Sequence, residues 1–311
     1  MTNRETVGFT LNKLIEKNSS NIFVLDADVC NAIGTNFVKE KNTCNFIQCG
    51  ICEQHMFNLA CGLSLMNNVV FIGTLSIFVL RALEQLRNYI CFGNMDIKII
   101  GSHAGLTTGE DGATHQTLED VAVLRAIPNI SIFACSTNIS IQKIIELSYD
   151  LKGPVYIRLS RNKVDEIYTQ DSLFEKSKYN IFKARKKANI LILTHGIMLN
   201  TSFQIQKYMN NHYDKYIDVV DMYCLKPIDE LLLINLLKEY DNIITIEDHF
   251  LIGGLNSIIS NIISKYQMKL KITSFGVDDN FGYSAPAEEL YKLYNLDVEY
   301  ICHFLKKMLV S

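Results

Sequence analysis

Three stretches of the chain carry side chains able to move protons or grip anions, each beside an apolar run. In the first, Glu53 opens the helix-length segment 53–66, whose other residues are nearly all apolar or small, so the helix is expected to be buried. A carboxylate in a first helical turn is favoured by the helix dipole. A carboxyl buried among apolar residues instead needs a partner and suits proton traffic. Composition leaves both readings of Glu53 standing. The second stretch runs from Gly101 to Gln116 and holds four glycines, His103, His115, Glu110 and Asp111. It follows a strand-like run and precedes a helix-length one. In an open α/β sheet that places it beyond the carboxyl ends of the strands, where ligands bind. Glycines let backbone approach a ligand, while His and Asp supply proton transfer and hydrogen bonds. A turn-rich surface loop is the plainer alternative, but two histidines bracketing the segment favour an active-site loop. The spacing is neither a Walker A loop nor a dinucleotide fingerprint. In the third stretch, Val155-Tyr156-Ile157-Arg158-Leu159-Ser160-Arg161, alternation puts Arg158 and Ser160 on one face. Arg161 then falls at the carboxyl end, as a surface charge or as a clamp for phosphate or carboxylate.

These groups need elements to hold them. Apolar runs at 22–26, 69–73, 97–101, 130–134 and 155–159 are short, rich in β-branched or aromatic residues, and bounded by turn formers. Between them, 53–66, 80–92, 116–127 and 138–149 have helix length and spaced apolar positions. Strands apolar throughout and separated by helices predict a parallel sheet covered on both faces. The pattern lapses over 165–187, a polar stretch with a basic cluster of Lys183, Arg185, Lys186 and Lys187 that reads as a solvated linker. It resumes with strands at 190–194, 217–221, 243–247 and 270–275. The expected fold class is α/β with two consecutive parallel-sheet domains, residues 1–165 and 189–311, joined by a linker at 166–188.

Composition narrows the function. Two domains of about 150 residues are the natural division of 311. Hydrophobic residues at 48% and charged residues at 20% supply two cores and exclude a disordered chain. A net charge of −3 gives no reason to expect nucleic acid or an anionic membrane. No apolar run reaches the roughly 18 residues of a membrane span, and residues 1–10 do not resemble a targeting peptide, so a cytoplasmic protein is expected. Of nine cysteines, Cys49 and Cys52 form a C-x-x-C with no second pair to complete a zinc site. Buried reduced thiols and no metal ligands are the expectation.

The run Gly109-Glu110-Asp111-Gly112-Ala113-Thr114-His115-Gln116, continuing through Leu118-Glu119-Asp120 to Leu124-Arg125-Ala126-Ile127-Pro128-Asn129, resembles the signature of the transketolase pyrimidine-binding domain. Gly50-Ile51-Cys52-Glu53-Gln54-His55-Met56 resembles the same family's cofactor-activating segment. Ile246-Glu247-Asp248-His249, Gly253-Gly254-Leu255 and the pairs Phe275-Gly276 and Phe281-Gly282 resemble its C-terminal domain. The resemblance covers essentially the whole chain and implies a thiamine-diphosphate-dependent transferase of pentose phosphate chemistry. Such an enzyme moves a two-carbon ketol unit between sugar phosphates. Within it, Glu53 matches the glutamate that hydrogen-bonds the aminopyrimidine and drives its imino tautomer. A carboxyl in an apolar pocket has its protonated form favoured and can share a proton with a ring nitrogen. Phe78 matches an aromatic that packs on the pyrimidine, and Leu75 stands where the family often has a second one. Asp28 matches an aspartate near the cofactor. Asp111 and His103 match residues that hold sugar hydroxyls, His115 one credited with substrate binding and proton transfer, and Arg161 a phosphate-binding arginine. Arg81 resembles an arginine of split family members.

Departures from the pattern carry information too. Ala32 stands near a usual phosphate-contacting serine, and Cys135-Ser136-Thr137 replaces the usual Pro-Ala-Asp. The family's metal-diphosphate motif, Gly-Asp-Gly followed by an asparagine some 30 residues on, is missing from the sequence. Diphosphate needs a metal and oxygen ligands. The resemblance therefore implies half a cofactor site, with Mg2+ and diphosphate held by an N-terminal transketolase subunit in an α2β2 assembly. The alternatives are the β-type component of a 2-oxo acid dehydrogenase, a deoxyxylulose-phosphate-synthase-like enzyme and a non-catalytic paralogue. The Gly109–Gln116 run speaks against the first, and joint retention of Glu53, Asp111, His115 and Arg161 against the last.

Overall fold

A computed structural model describes residues 1–18, 21–162 and 164–310. The described residues form twelve strands: β1 Ile22–Asp26, β2 Phe46–Gln48, β3 Val69–Leu75, β4 Ile97–Ser102, β5 Ser131–Ala134, β6 Val155–Arg158, β7 Asn180–Phe182, β8 Ile190–Thr194, β9 Ile217–Asp221, β10 Cys224–Lys226, β11 Asn242–Phe250 and β12 Lys271–Val277. They form a seven-stranded sheet in the order β10-β5-β6-β4-β3-β1-β2 and a five-stranded sheet in the order β12-β11-β8-β9-β7. Pairing is parallel except for the edges, where β10 runs antiparallel to β5 and β7 antiparallel to β9.

Two-sided burial explains the apolar runs. Along β3, Phe71 joins Val7, Leu11, Ile141 and Ile145 of the helices Asn3–Lys17 and Asn138–Asp150 on one face. Val70 and Ile72 meet Met56, Phe57 and Ala60 of the helix Glu53–Leu65 on the other. Because strand side chains alternate, a central strand covered on both faces must be apolar at every position.

Several local expectations give way. Segment 80–92 is not one helix: a short helix Ser76–Arg81 breaks at Ala82, and a π-helical turn spans Leu86–Cys91. The helix expected over 116–127 is confined to Asp120–Arg125, leaving 116–119 as loop. The helix Asn3–Lys17 escapes the apolar pattern, yet a reciprocal cap starts it: Glu5 N donates to Thr2 Oγ1 and Thr2 N to Glu5 Oε2. Strands β2, β7 and β10 have three residues each, too few to show a period. The basic residues 183 and 185–187 are exposed. Their stretch is nevertheless more than solvated chain, since Tyr168 and Phe174 are buried and Tyr168 Oη donates to Asp221 Oδ2 at 2.7 Å. Nor is the C-x-x-C pair buried. Gly50 at φ +72° turns the chain outward, leaving Cys49 half-buried and Cys52 exposed, and all nine cysteines are free. Among the described residues no helix is long and apolar enough to cross a membrane.

Candidate active site

In a parallel sheet all carboxyl ends lie along one edge, and the sequence-predicted groups gather there. Glu53 is the first residue of its helix and only 4% exposed. Among the described residues its carboxylate accepts no hydrogen bond; Arg81 Nε stands 3.8 Å from its Oε2 on a largely exposed side chain. The expectation that this helix is buried all round fails, because Gln54, His55, Asn58 and Gly62 are exposed along one side.

Phe78 and His115 meet edge to face with ring centres 5.9 Å apart, and Thr114 Oγ1 lies 3.0 Å from His115 Nδ1. His103, at φ +58°, follows β4, with Ser102 Oγ 3.0 Å from its Nδ1. Burial above all, then the nearby Arg161 guanidinium, pulls its imidazole down to about 4, against an opposing pull from Asp111. The ring is therefore neutral near pH 7 and can both donate and accept.

Arg161 is not at a strand end, since β6 stops at Arg158. It sits on the loop beyond, its N–H donating to Thr107 Oγ1 at 3.1 Å and its Nη1 to the Thr108 carbonyl at 3.3 Å. Asp111 Oδ2 lies 3.6 Å from the same Nη1. His103 and Arg161 line a cleft of about 510 Å³ with Asn31, Ala32 and Arg4. Arg4 escaped the sequence reading because one arginine in a first helical turn looks like surface charge; the cap at Thr2 was the available signal.

Asp28 is exposed in a positive-φ turn and bonds Gln48 Oε1 through its backbone N–H at 2.9 Å. Its neighbour Asp26 is the buried carboxyl, accepting from Val29 N and Thr35 Oγ1 at 2.8 and 2.7 Å and pushed up by burial. Leu75 is half-buried against the core. The structure thus joins Glu53 with Arg81, Phe78 with His115, and His103 with Asp111 and Arg161. Among the described residues the side chains of Asp28 and Leu75 make no hydrogen bond or ion pair with these groups.

Behind the site lies a buried polar cluster. Arg158 Nε donates to Asp120 Oδ2 at 3.0 Å and its Nη2 to the Asp248 carbonyl at 2.8 Å. Tyr156 Oη donates to Asp120 Oδ2 at 2.7 Å. His249 accepts from Ala122 N at Nε2 and donates from Nδ1 to the Phe250 carbonyl, a neutral tautomer consistent with burial lowering it to about 4.

The buried Glu53 carboxyl, whose ionic partner Arg81 stands 3.8 Å away on an exposed side chain, and the half-buried Phe78 ring fit the aminopyrimidine of thiamine: one can bond a ring nitrogen, the other can pack on a ring face.

Comparison with known proteins follows the same division. Residues 1–166 match the transketolase pyrimidine-binding domain and residues 181–301 the transketolase C-terminal domain. A Methanocaldococcus jannaschii protein bearing the name of a transketolase C-terminal section is 34% identical over 96% of this chain and 93% of its own length. Human transketolase is 28% identical over 99% of this chain, which spans only 49% of the human protein. Among solved structures, a chain described as a split-gene transketolase in an inactive beta4 tetramer superposes with a TM-score of 0.89 at 32% identity, over 99% of this chain and 98% of that one. Campylobacter jejuni transketolase, at 20% identity and a TM-score of 0.84 over 99% of this chain and 46% of that one, shares the fold.

Proposed function

Because the chain belongs to the transketolase family, we propose that it is the C-terminal subunit of a split transketolase. In this reading it joins an N-terminal chain, as an α2β2 assembly, to bind thiamine diphosphate and transfer a two-carbon ketol unit between sugar phosphates. The observation that carries the reading is Glu53, a buried carboxyl at the carboxyl edge of the sheet that accepts no hydrogen bond among the described residues and has the exposed Arg81 at 3.8 Å as its ionic partner. Burying an acid whose partner is so loosely held is costly, and a hydrogen bond shared with a ligand's ring nitrogen would offset that cost. The exposed side of its helix, with Ile51 and Leu65 uncovered at its two ends, is the surface the second chain would cover. That chain would hold the diphosphate and Mg2+.

Bound thiamine diphosphate supplies a nucleophilic carbon and an electron sink. Glu53 would share its proton with the pyrimidine ring, and Phe78 would pack on that ring. Neutral His103 would hydrogen-bond donor hydroxyls, assisted by Asp111, and His115 would carry protons to and from the substrate. Arg161 and Arg4 would hold the sugar's phosphate across the cleft. A relative described as an inactive tetramer of beta subunits alone is what this division of labour leads one to expect.

The test is calorimetric titration of thiamine diphosphate and Mg2+ into the lone chain and into the reconstituted pair. Binding is expected only in the pair; micromolar binding by the lone chain would overturn the split-subunit reading.

Arg161 supplies a second expected outcome. Arg161→Ala removes a charge-assisted contact and should raise KM for sugar phosphates about 10- to 150-fold. An unphosphorylated ketose should be affected much less, and Lys should recover only part, restoring charge without the planar fork. Equal changes in KM for phosphorylated and unphosphorylated donors would make Arg161 structural.

A further inference from the structure

The loop Gly105–Gln116 belongs to the first domain, but its backbone is gripped by the second. Asp248, buried near the carboxyl end of β11, accepts a hydrogen bond from the Leu106 N–H at 2.9 Å through Oδ1. Its Oδ2 accepts from Tyr291 Oη at 3.2 Å, and its main-chain carbonyl accepts from Arg158 Nη2 at 2.8 Å, so both carboxylate oxygens are bonded and the backbone that carries them is held too. Gly105, at φ +76°, passes so close that a Cβ there would lie 2.1 Å from Asp248 Oδ2. Only glycine admits both that conformation and that approach. Farther along, Ser284 Oγ donates to the Glu110 carbonyl, and Gln116 Nε2 donates to the Tyr283 carbonyl at 2.9 Å. Between these anchors the loop forms a 3-10 turn, Leu106–Asp111, kinked at Gly109. The turn delivers Asp111 to Arg161, and the rest of the loop delivers His115 to Phe78.

We propose that Asp248 is a positioning residue for ketol transfer: from the second domain it fixes the Leu106 backbone, and through it the placement of His103, Asp111 and His115. The proposal rests on the reading of this edge as a transketolase site, but its structural half stands apart from that reading. It gives the second domain a task at the site although that domain supplies none of the proposed substrate ligands. Glu53 opens a separate helix and is outside this grip, so cofactor activation and substrate handling separate.

The experiment compares Asp248→Ala, Asp248→Asn and Tyr291→Phe. Amide hydrogen exchange is read on the full chain, and turnover, KM and thiazolium proton exchange on the complex with the N-terminal chain. Asp248→Ala should speed exchange at Leu106 about 10- to 150-fold, the worth of a hydrogen bond to a charged group. It should also raise sugar-phosphate KM and lower turnover while thiazolium proton exchange stays at the wild-type rate. Asp248→Asn keeps an acceptor for Leu106 N–H and should restore both readouts to within a few-fold; Tyr291→Phe, which leaves Oδ1 in place, should match it. Wild-type exchange at Leu106 in Asp248→Ala would overturn the proposal, as would an Asn variant with Leu106 protected but turnover lost. If the Ala variant does not fold, the Asn variant carries the test by that last criterion. A wild-type complex that performs no ketol transfer would strike the proposed function instead and leave the exchange result to judge Asp248's grip.

Discussion

Glu53→Gln is expected to lower turnover of the assembled enzyme by about 10²–10⁴-fold, the usual worth of a general acid–base group. Glutamine has the size and hydrogen-bonding reach of the native side chain but cannot share a proton with a ring nitrogen. The loss should therefore appear as slowed exchange of the thiazolium proton with solvent, with cofactor affinity changed far less. The fold should survive. Arg81, the cation beside Glu53, lies at 3.8 Å on a side chain 70% exposed, so the pair is screened and adds little stability. Burial to 4% is what separates the two readings that composition left open. A carboxylate kept only to complement a helix dipole has no reason to leave water. Near-native turnover in the Gln variant would restore that plainer reading.

Asp120→Ala should destabilise the chain by about 3–5 kcal/mol, the cost of stripping one partner from a buried ion pair. Asp120 is fully buried and holds Arg158 Nε at 3.0 Å and Tyr156 Oη at 2.7 Å. Removing it leaves a guanidinium inside the protein with only the Asp248 carbonyl and its neighbours to solvate it. Replacing both charges with apolar residues, Asp120→Leu with Arg158→Met, should recover most of the loss, because no charge is then left buried. Urea unfolding of the three proteins measures this. A loss below about 1 kcal/mol in the single variant would mean that water or a rearranged partner reaches Arg158. Arg158 links β6 to the end of β11, so the single variant should also loosen the seam between the two sheets.

What could be learned from the chain alone was whatever has a local pattern. The central strands announced themselves because burial on both faces demands apolar residues at every position. The loop from Gly101 to Gln116 stood out because its glycines, histidines and acids suit neither a core nor an ordinary helix. The resemblance then attached roles to Glu53, Phe78, His103, Asp111, His115 and Arg161 without a single distance. Edge strands of three residues have no period to read, and β10 shows why this matters: a segment of the second half completes the first half's sheet by antiparallel pairing to β5. The exposed side of the Glu53 helix was misjudged for a related reason, since small and apolar residues are used both in cores and on surfaces that await a partner. Arg4 reaches the cleft across the space between the first helix and β4, and Asp248 reaches Leu106 across 142 residues. Contacts of that kind are set by how elements far apart in the chain pack against each other, which no stretch of neighbouring residues encodes.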